Sequence, residues 1–496
     1  MNRSVAAQRV WRARSPRSVA DRAYIVYAAV LVAFVLVSPV ARAIWVGITT
    51  PSAVVVLTSP VLPTAVAYGV LVLWIVALAA GPMRGPALLP TFLSWSLGGS
   101  DVPRRRSHRG PLVLSFSALV ALTALAAVLP AGSLLSHGLV TLRSAAMFVL
   151  AGAEAGAITF GLWLAAQVSP RGGSAGGAAL VGLGIVGTVI PQVGGVLPWT
   201  WVASTYPSAT AAPGSLIPVG LGMLMMVVVA IAMTGLERLG TDDLVAQATQ
   251  WEMARTRAMT LDLDAASATY RVTPSIGRSV RAVPRTRSLL SVFVIRGLVG
   301  ALRTPGRFII GTATIVVAGF LMADALQPSG RGGILGAAAG LLLYLGLGPL
   351  TDGLRHAARV VSSSQFYGVS DEVLMALHAV MPLVVGAVAS TVGAALLPGG
   401  PQPMAIAVAV LATVMSLGVR VGNALKGPLP SVLLTPAPTA LGDPMPFVQL
   451  LWAMDSIVLA LLVGLSVASV RLGTTSVVGV VTVVAAMTWF RWNRRP

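Results

Sequence analysis

The chain has 496 residues, a mean hydropathy of +0.86, 56% hydrophobic and 10% charged residues, and a formal charge of +19. Soluble domains carry about 25% charge, so this composition excludes an ordinary soluble fold. The apolar residues come in runs of about 20 and not as ten-residue alternations, which predicts a polytopic, all-α integral membrane protein and excludes a barrel.

Twelve spans are expected, at about 23–42, 61–80, 111–130, 145–167, 176–196, 215–235, 307–326, 333–350, 380–398, 404–421, 446–468 and 474–490. "ARA" at 41–43 resembles a signal-peptidase site, but the apolar run before it is longer than a signal h-region, so it is kept as a span. With the N-terminus inside, only Arg42, Arg143, Arg331 and Arg471 fall outside, and 30 of the 34 basic residues fall inside. This bias places both termini in the cytoplasm, with the chain in the inner (plasma) membrane. It also assigns the positive charge to loops beside the bilayer, with no nucleic-acid partner.

In chain order, the first polar feature is a basic elbow, "RVWRARSPRSVADRAY" (9–24), ahead of span 1. Span 2 ends at Gly81-Pro82, and "GGSDVPRRRSHRGPL" (98–112) leads into span 3. Glu154 lies within span 4 among Ala151, Gly152, Ala155 and Gly156. "VLPWTWVASTYP" (196–207) has the look of an interfacial aromatic belt, with a re-entrant helix as the sharper alternative.

The longest polar stretch, 236–306, separates a first six-span half (1–235) from a second (307–496). In it, "TDDLVAQATQWEMARTRAM" (241–259) predicts a helix capped by Thr241, with Asp242 and Asp243 at the positive end of its dipole. An apolar stripe of Leu244, Ala248, Trp251, Met253 and Ala258 runs along it. "SLLSVFVIRGLVGALRTPGRF" (288–308) predicts an interfacial helix turning into span 7.

Four features then return. Arg303-Thr304-Pro305 answers Arg14-Ser15-Pro16, Gly348-Pro349 answers Gly81-Pro82, and a two-span hairpin lies between them in each half. Ser370-Asp371 with His378 and Pro382 answers Ser100-Asp101 with His108 and Pro111. Six spans is an even number, so the two copies run parallel, as in transporters related by an axis along the membrane normal.

This order of elbow, two-span hairpin and short cytoplasmic element resembles type-2 ABC exporter permeases. It is most similar to an uncharacterised family of ABC-exporter permease-like membrane proteins of high-GC bacteria, which also have a "TP…GD" stretch after span 10, here "LLTPAPTALGDP" (433–444). The resemblance implies an exporter's permease subunit, with a separate ABC ATPase docking at 83–110 and 351–379. Its candidate contacts are Ser100, Asp101, His108, Asp352, Ser370, Asp371 and His378. The alternative for the Ser-Asp pairs is helix capping, Ser100 and Ser370 as caps with each Asp at the first helical position.

The chain supplies no ATPase of its own. A phosphate-binding loop needs G-x4-G-K-[ST], and the one lysine, Lys426, sits in "NALKGPLP". No cofactor is expected, because cysteine is absent and the histidines (His108, His137, His356, His378) lack metal-ligand spacing. The substrate stays unspecified. Two other readings stand: a proton-coupled secondary transporter using Glu154 and Asp455, neither of which has a basic partner within its own span, and a non-transporting membrane scaffold holding a partner through 236–306.

Overall fold

The computed structural model describes residues 9–494 except 12, 15–17, 33, 35–37, 101, 208–215, 262, 271–276, 278, 284–287, 328–331, 361–367, 398–399, 401, 428, 436, 438–442 and 471–472. Among the described residues the secondary structure is helical, without strands. Ten helices are long and apolar enough to cross a membrane, which makes this a multi-pass helical membrane protein. The chain divides into two compact units, Met1–Arg255 and Thr256–Pro496, at a point inside the stretch read as a linker.

The first unit begins with α1 (Val19–Val32), α2 (Ser38–Ile48) and α3 (Pro51–Leu57). The expected first span, 23–42, runs over the end of α1 and the start of α2, and residues 33 and 35–37 between them lie outside the described residues. Then come α4 (Val61–Ala80), α5 (Thr91–Gly98), α6 (Arg109–Ser136), α7 (Leu142–Val168) and α8 (Pro170–Val189). Helix α8 occupies the fifth expected span and is followed by a separate turn that opens at Pro191; it is not counted among the ten. A short helix α9 (Pro198–Ser204), α10 (Ile217–Gly235) and α11 (Thr241–Met259) follow. Thr141 and Ser169 cap α7 and α8 by accepting from the N–H of Ser144 and Gly172.

Helix α7 is the most enclosed span of this unit and packs on α4, α6, α8 and α10. Its glycines allow the approach: a Cβ on Gly156 would lie 2.2 Å from Thr123 Oγ1 of α6, and one on Gly161 2.8 Å from Val228 of α10. The buried side chains form three separate clusters, around Trp74 and Trp199, around Leu164 and Leu236, and around Leu134 and Phe148.

The second unit holds α12 (Leu289–Leu302), α13 (Pro305–Ala325), α14 (Gly332–Leu347), α15 (Asp352–Val360), α16 (Asp371–Ala395), α17 (Pro403–Ala424), α18 (Met445–Ala468) and α19 (Thr475–Asn493). Helix α12 turning into α13 is the elbow read from 288–308. This unit has one continuous core, from Phe293 to Val477. Its helices cross at backbone contact: a Cβ on Gly464 of α18 would fall 1.9 Å from Gly336 O of α14, and one on Gly393 of α16 would fall 1.9 Å from Val316 O of α13.

Candidate functional site

In the first unit the stretch from Gly81 to Arg109 is fastened to three helices. Gly81 must be glycine, since a Cβ there would lie 2.7 Å from Trp163 O. Gln167, at the end of α7, reads the backbone of Ala87 in both directions, accepting from its N–H at 3.0 Å and donating to its carbonyl at 3.2 Å. The Gln167 amide also donates to Gln247 of α11 (3.0 Å), and Gln247 donates to Pro82 O (3.2 Å). Further on, Glu252 accepts from Thr91 N–H and hydroxyl at 2.9 and 2.8 Å. Glu237, just past α10, accepts from the N–H groups of Arg104 and Arg105 at 2.9 and 3.2 Å. A remote carboxylate thereby caps the short turn Arg104–Ser107.

Two details differ from the expected roles. Ser100 caps no helix among the described residues: its hydroxyl donates to Leu97 O at 2.7 Å, behind α5, and Pro103, three residues on, has no N–H for it to accept. Asp101 lies outside the described residues. Thr241 is not the cap of α11 either, since its hydroxyl donates to Gly98 O at 3.1 Å.

His108 stands immediately before α6 and is 1% exposed, with Nδ1 3.3 Å from Arg104 O. Burial holds its imidazole below the ordinary 6.5, with the neighbouring Arg104 charge pushing the same way against the Arg104 carbonyl and Glu237, which raise it.

In the second unit the turn at Gly348-Pro349 leads into α15. Asp352 opens that helix and pairs with Arg307 of α13 at 3.0 Å. Leu354 and Ala357 face inward, while His356 and Arg359 are exposed. Ser370 does cap α16, accepting from Val373 N–H at 3.5 Å, with Asp371 and Glu372 in the first turn. His378 lies seven residues inside that helix, its Nδ1 2.9 Å from Leu374 O and its ring edge-on to Phe293 of α12 at 4.8 Å. A Cβ on Gly353 would come within 2.7 Å of the His378 ring, so α12, α15 and α16 meet around this histidine. The two histidines share a bond to the carbonyl four residues back, but one precedes its helix and the other lies within it.

The two intramembrane acids separate sharply. Glu154 Oε2 is buried and has no hydrogen-bond partner among the described residues. It faces Gly222 of α10, where a Cβ would stand 3.2 Å from its Oε1. Asp455 has basic partners, both from outside its own span. Lys426, just beyond α17, pairs with Oδ1 at 2.9 Å, and Arg491 of α19 pairs with Oδ2. Ser456 lies 2.9 Å from Oδ1 and 2.8 Å from Asn423 of α17. Arg420 was not singled out from the sequence, where it reads as one more basic residue near a span end. It is 7% exposed, donates through Nε to Tyr344 O at 2.8 Å, and lies 3.7 Å over the Tyr344 ring.

The aromatic stretch is a correction as well. Trp199 and Tyr206 are each 2% exposed, not membrane-surface residues. Helix α9 inserts into the bundle against α4, with Trp199 edge-on to Trp74 at 6.4 Å and Tyr206 donating to Leu57 O at 2.8 Å. Among the described residues no group of three acidic, histidine or cysteine side chains could hold a metal. No family model, curated protein or solved structure matches the chain.

Proposed function

We propose that the chain is the permease subunit of an ABC-type exporter. In this reading α1–α2 and α8 complete twelve spans in two parallel halves, both termini are cytoplasmic, and a separate ATPase docks on 83–110 and 351–379. The observation that carries it is the mechanical fastening of both stretches. Gln167, Gln247, Glu252 and Glu237 tie the first to α7, α10 and α11, and His378 with Asp352 ties the second to α12, α13 and α16. A solvated connecting loop needs no such ties, whereas an element that passes a push to the spans does.

Two further points support the reading. The most enclosed span is the fourth in each proposed half, α7 and α17. The one lysine pairs with Asp455 at 2.9 Å, which supports the reading that nucleotide is handled by a partner. The scaffold reading is weakened because α11 spends Leu244, Gln247 and Ala248 on its own unit.

Mild-detergent purification from the host with quantitative mass spectrometry tests this. A stoichiometric subunit carrying a phosphate-binding loop, lost from a Glu237→Ala/Gln247→Ala variant, supports it. The chain emerging alone in several detergents removes it.

The unpartnered Glu154 carboxyl favours one second reading, proton coupling, now without Asp455. Transport that persists unchanged in Glu154→Gln after collapse of the proton gradient would remove that reading.

A further inference from the structure

Between α4, α8 and α9 lies a cleft of about 310 Å³, open on one side and set at the end of the first unit opposite the Gly81–Arg109 stretch. Glycines leave its floor without side chains: Gly184 and Gly187 belong to α8, and Gly194 to the turn that follows. They are closely seated, since a Cβ on Gly187 would come 2.7 Å from Leu197 and one on Gly184 2.8 Å from Leu71. Trp199 forms a wall, fixed by its contact with Trp74, whose Nε1 donates to Ala155 O at 3.4 Å. Among the described residues no acidic or basic side chain lines the cleft.

Four hydroxyl groups line it, and their state differs. Thr200 and Ser204 of α9 are already used, donating to Leu197 O and Trp201 O at 2.6 and 2.8 Å. Thr64 and Tyr68 of α4 make no hydrogen bond among the described residues. Four residues apart on a helix, they share one face. The geometry points to a binding site for an uncharged amphiphile, its aliphatic or aromatic body against Trp199 and the glycine floor and its alcohol, ester or amide group on Thr64 and Tyr68.

Size and charge both select this class. The volume equals about ten waters, near the lower bound for small-molecule sites between helices. An ionised group would lose its hydration with no opposite charge to receive it. A pure hydrocarbon would leave the two hydroxyls unused. The site does not depend on the exporter reading, because occupancy is measured without an ATPase or transport.

The test is photolabelling in lipid nanodiscs with three diazirine-bearing ten-carbon probes: decanol, decanoate and decyltrimethylammonium. Cross-links are mapped by mass spectrometry. Decanol is expected to label 61–80 and 191–206 saturably, with competition by plain n-decanol, and the charged probes at least about tenfold less. Thr64→Val/Tyr68→Phe should lower decanol labelling about tenfold, the worth of a lost hydrogen bond or two. Ser204→Phe, at an exposed position on the rim, should abolish it while labelling of lipid-facing α19 is unchanged. Labelling that tracks α19, fails to saturate, ignores charge or survives Ser204→Phe overturns the site.

Discussion

The two units solve the same problem, an apolar bundle with polar groups inside it, in opposite ways. The second is welded: one unbroken core, helices crossing at glycine, and each buried charge matched by a partner. The first is assembled from three apolar clusters, with a cleft, a half-buried carboxyl whose buried oxygen has no partner among the described residues, and polar side chains bolting the Gly81–Arg109 stretch in place. Both units have close glycine crossings, so the contrast lies in the core: a single continuous core leaves a bundle little to rearrange, whereas separate clusters joined by hydrogen bonds can shift against one another.

The harshest way to break the contrast is to put a side chain into a weld. Gly464→Leu or Gly340→Leu has no space at all, the Cβ alone landing 1.9 Å from Gly336 O or 2.2 Å from Ala460 O. Folded protein should be lost on size-exclusion chromatography, beyond the usual cost of about 1–3 kcal/mol for overpacking. Gly479→Leu, where nothing lies within 4 Å, should elute as the parent does.

Next come the two acids. Asp455→Asn takes the carboxylate from Lys426 and Arg491, whose side chains are only 8% and 12% exposed and which keep the Trp452 and Gly422 carbonyls, and should cost about 3–5 kcal/mol in thermal unfolding in detergent. Glu154→Gln removes no ion pair and should change stability by less than about 1 kcal/mol. Equal effects from the two would erase the distinction between the units.

A smaller effect sharpens the role of the polar bolts. Gln247→Ala takes away the link between Gln167 and Pro82 and should weaken the network by about 1–3 kcal/mol. Hydrogen exchange should rise in 241–255 and 82–91 and not in α14 or α18.

The smallest effect is that of pH. His108 is held neutral by burial, so its folded value lies below its unfolded value near 6.5. As pH falls below about 6.5 the unfolded chain takes up a proton first, and stability of the first unit declines by at most about 1.4 kcal/mol per unit. The decline stops at the folded value. His108→Gln should flatten that slope.

Much of the bundle was legible in the sequence, because length and hydropathy report directly on spans. Segments 145–167 and 404–421 lie inside α7 and α17, and the elbow at 288–308 is α12 turning into α13. What stayed hidden depends on residues far apart in the chain. Asp455 has its cations 29 residues before it and 36 after it, at the ends of other helices. Trp199 and Tyr206 have the composition of a membrane-surface belt, and only the insertion of α9 makes them core. The Ser-Asp-His pattern matched in letters, yet where Ser370 accepts the N–H of Val373, the first copy has Pro103, which has none. Gln167 and Gln247 offered no signal, since a glutamine at a helix end is ordinarily solvated.

The pairing of Lys426 with Asp455 has a practical consequence. With its only side-chain amine enclosed at 8% exposure, the folded chain offers acylating reagents no accessible lysine. Any state that parts α17, α18 and α19 would uncover that amine, and the rate at which Lys426 acquires an acyl tag would report how often the ion pair opens, without an engineered residue.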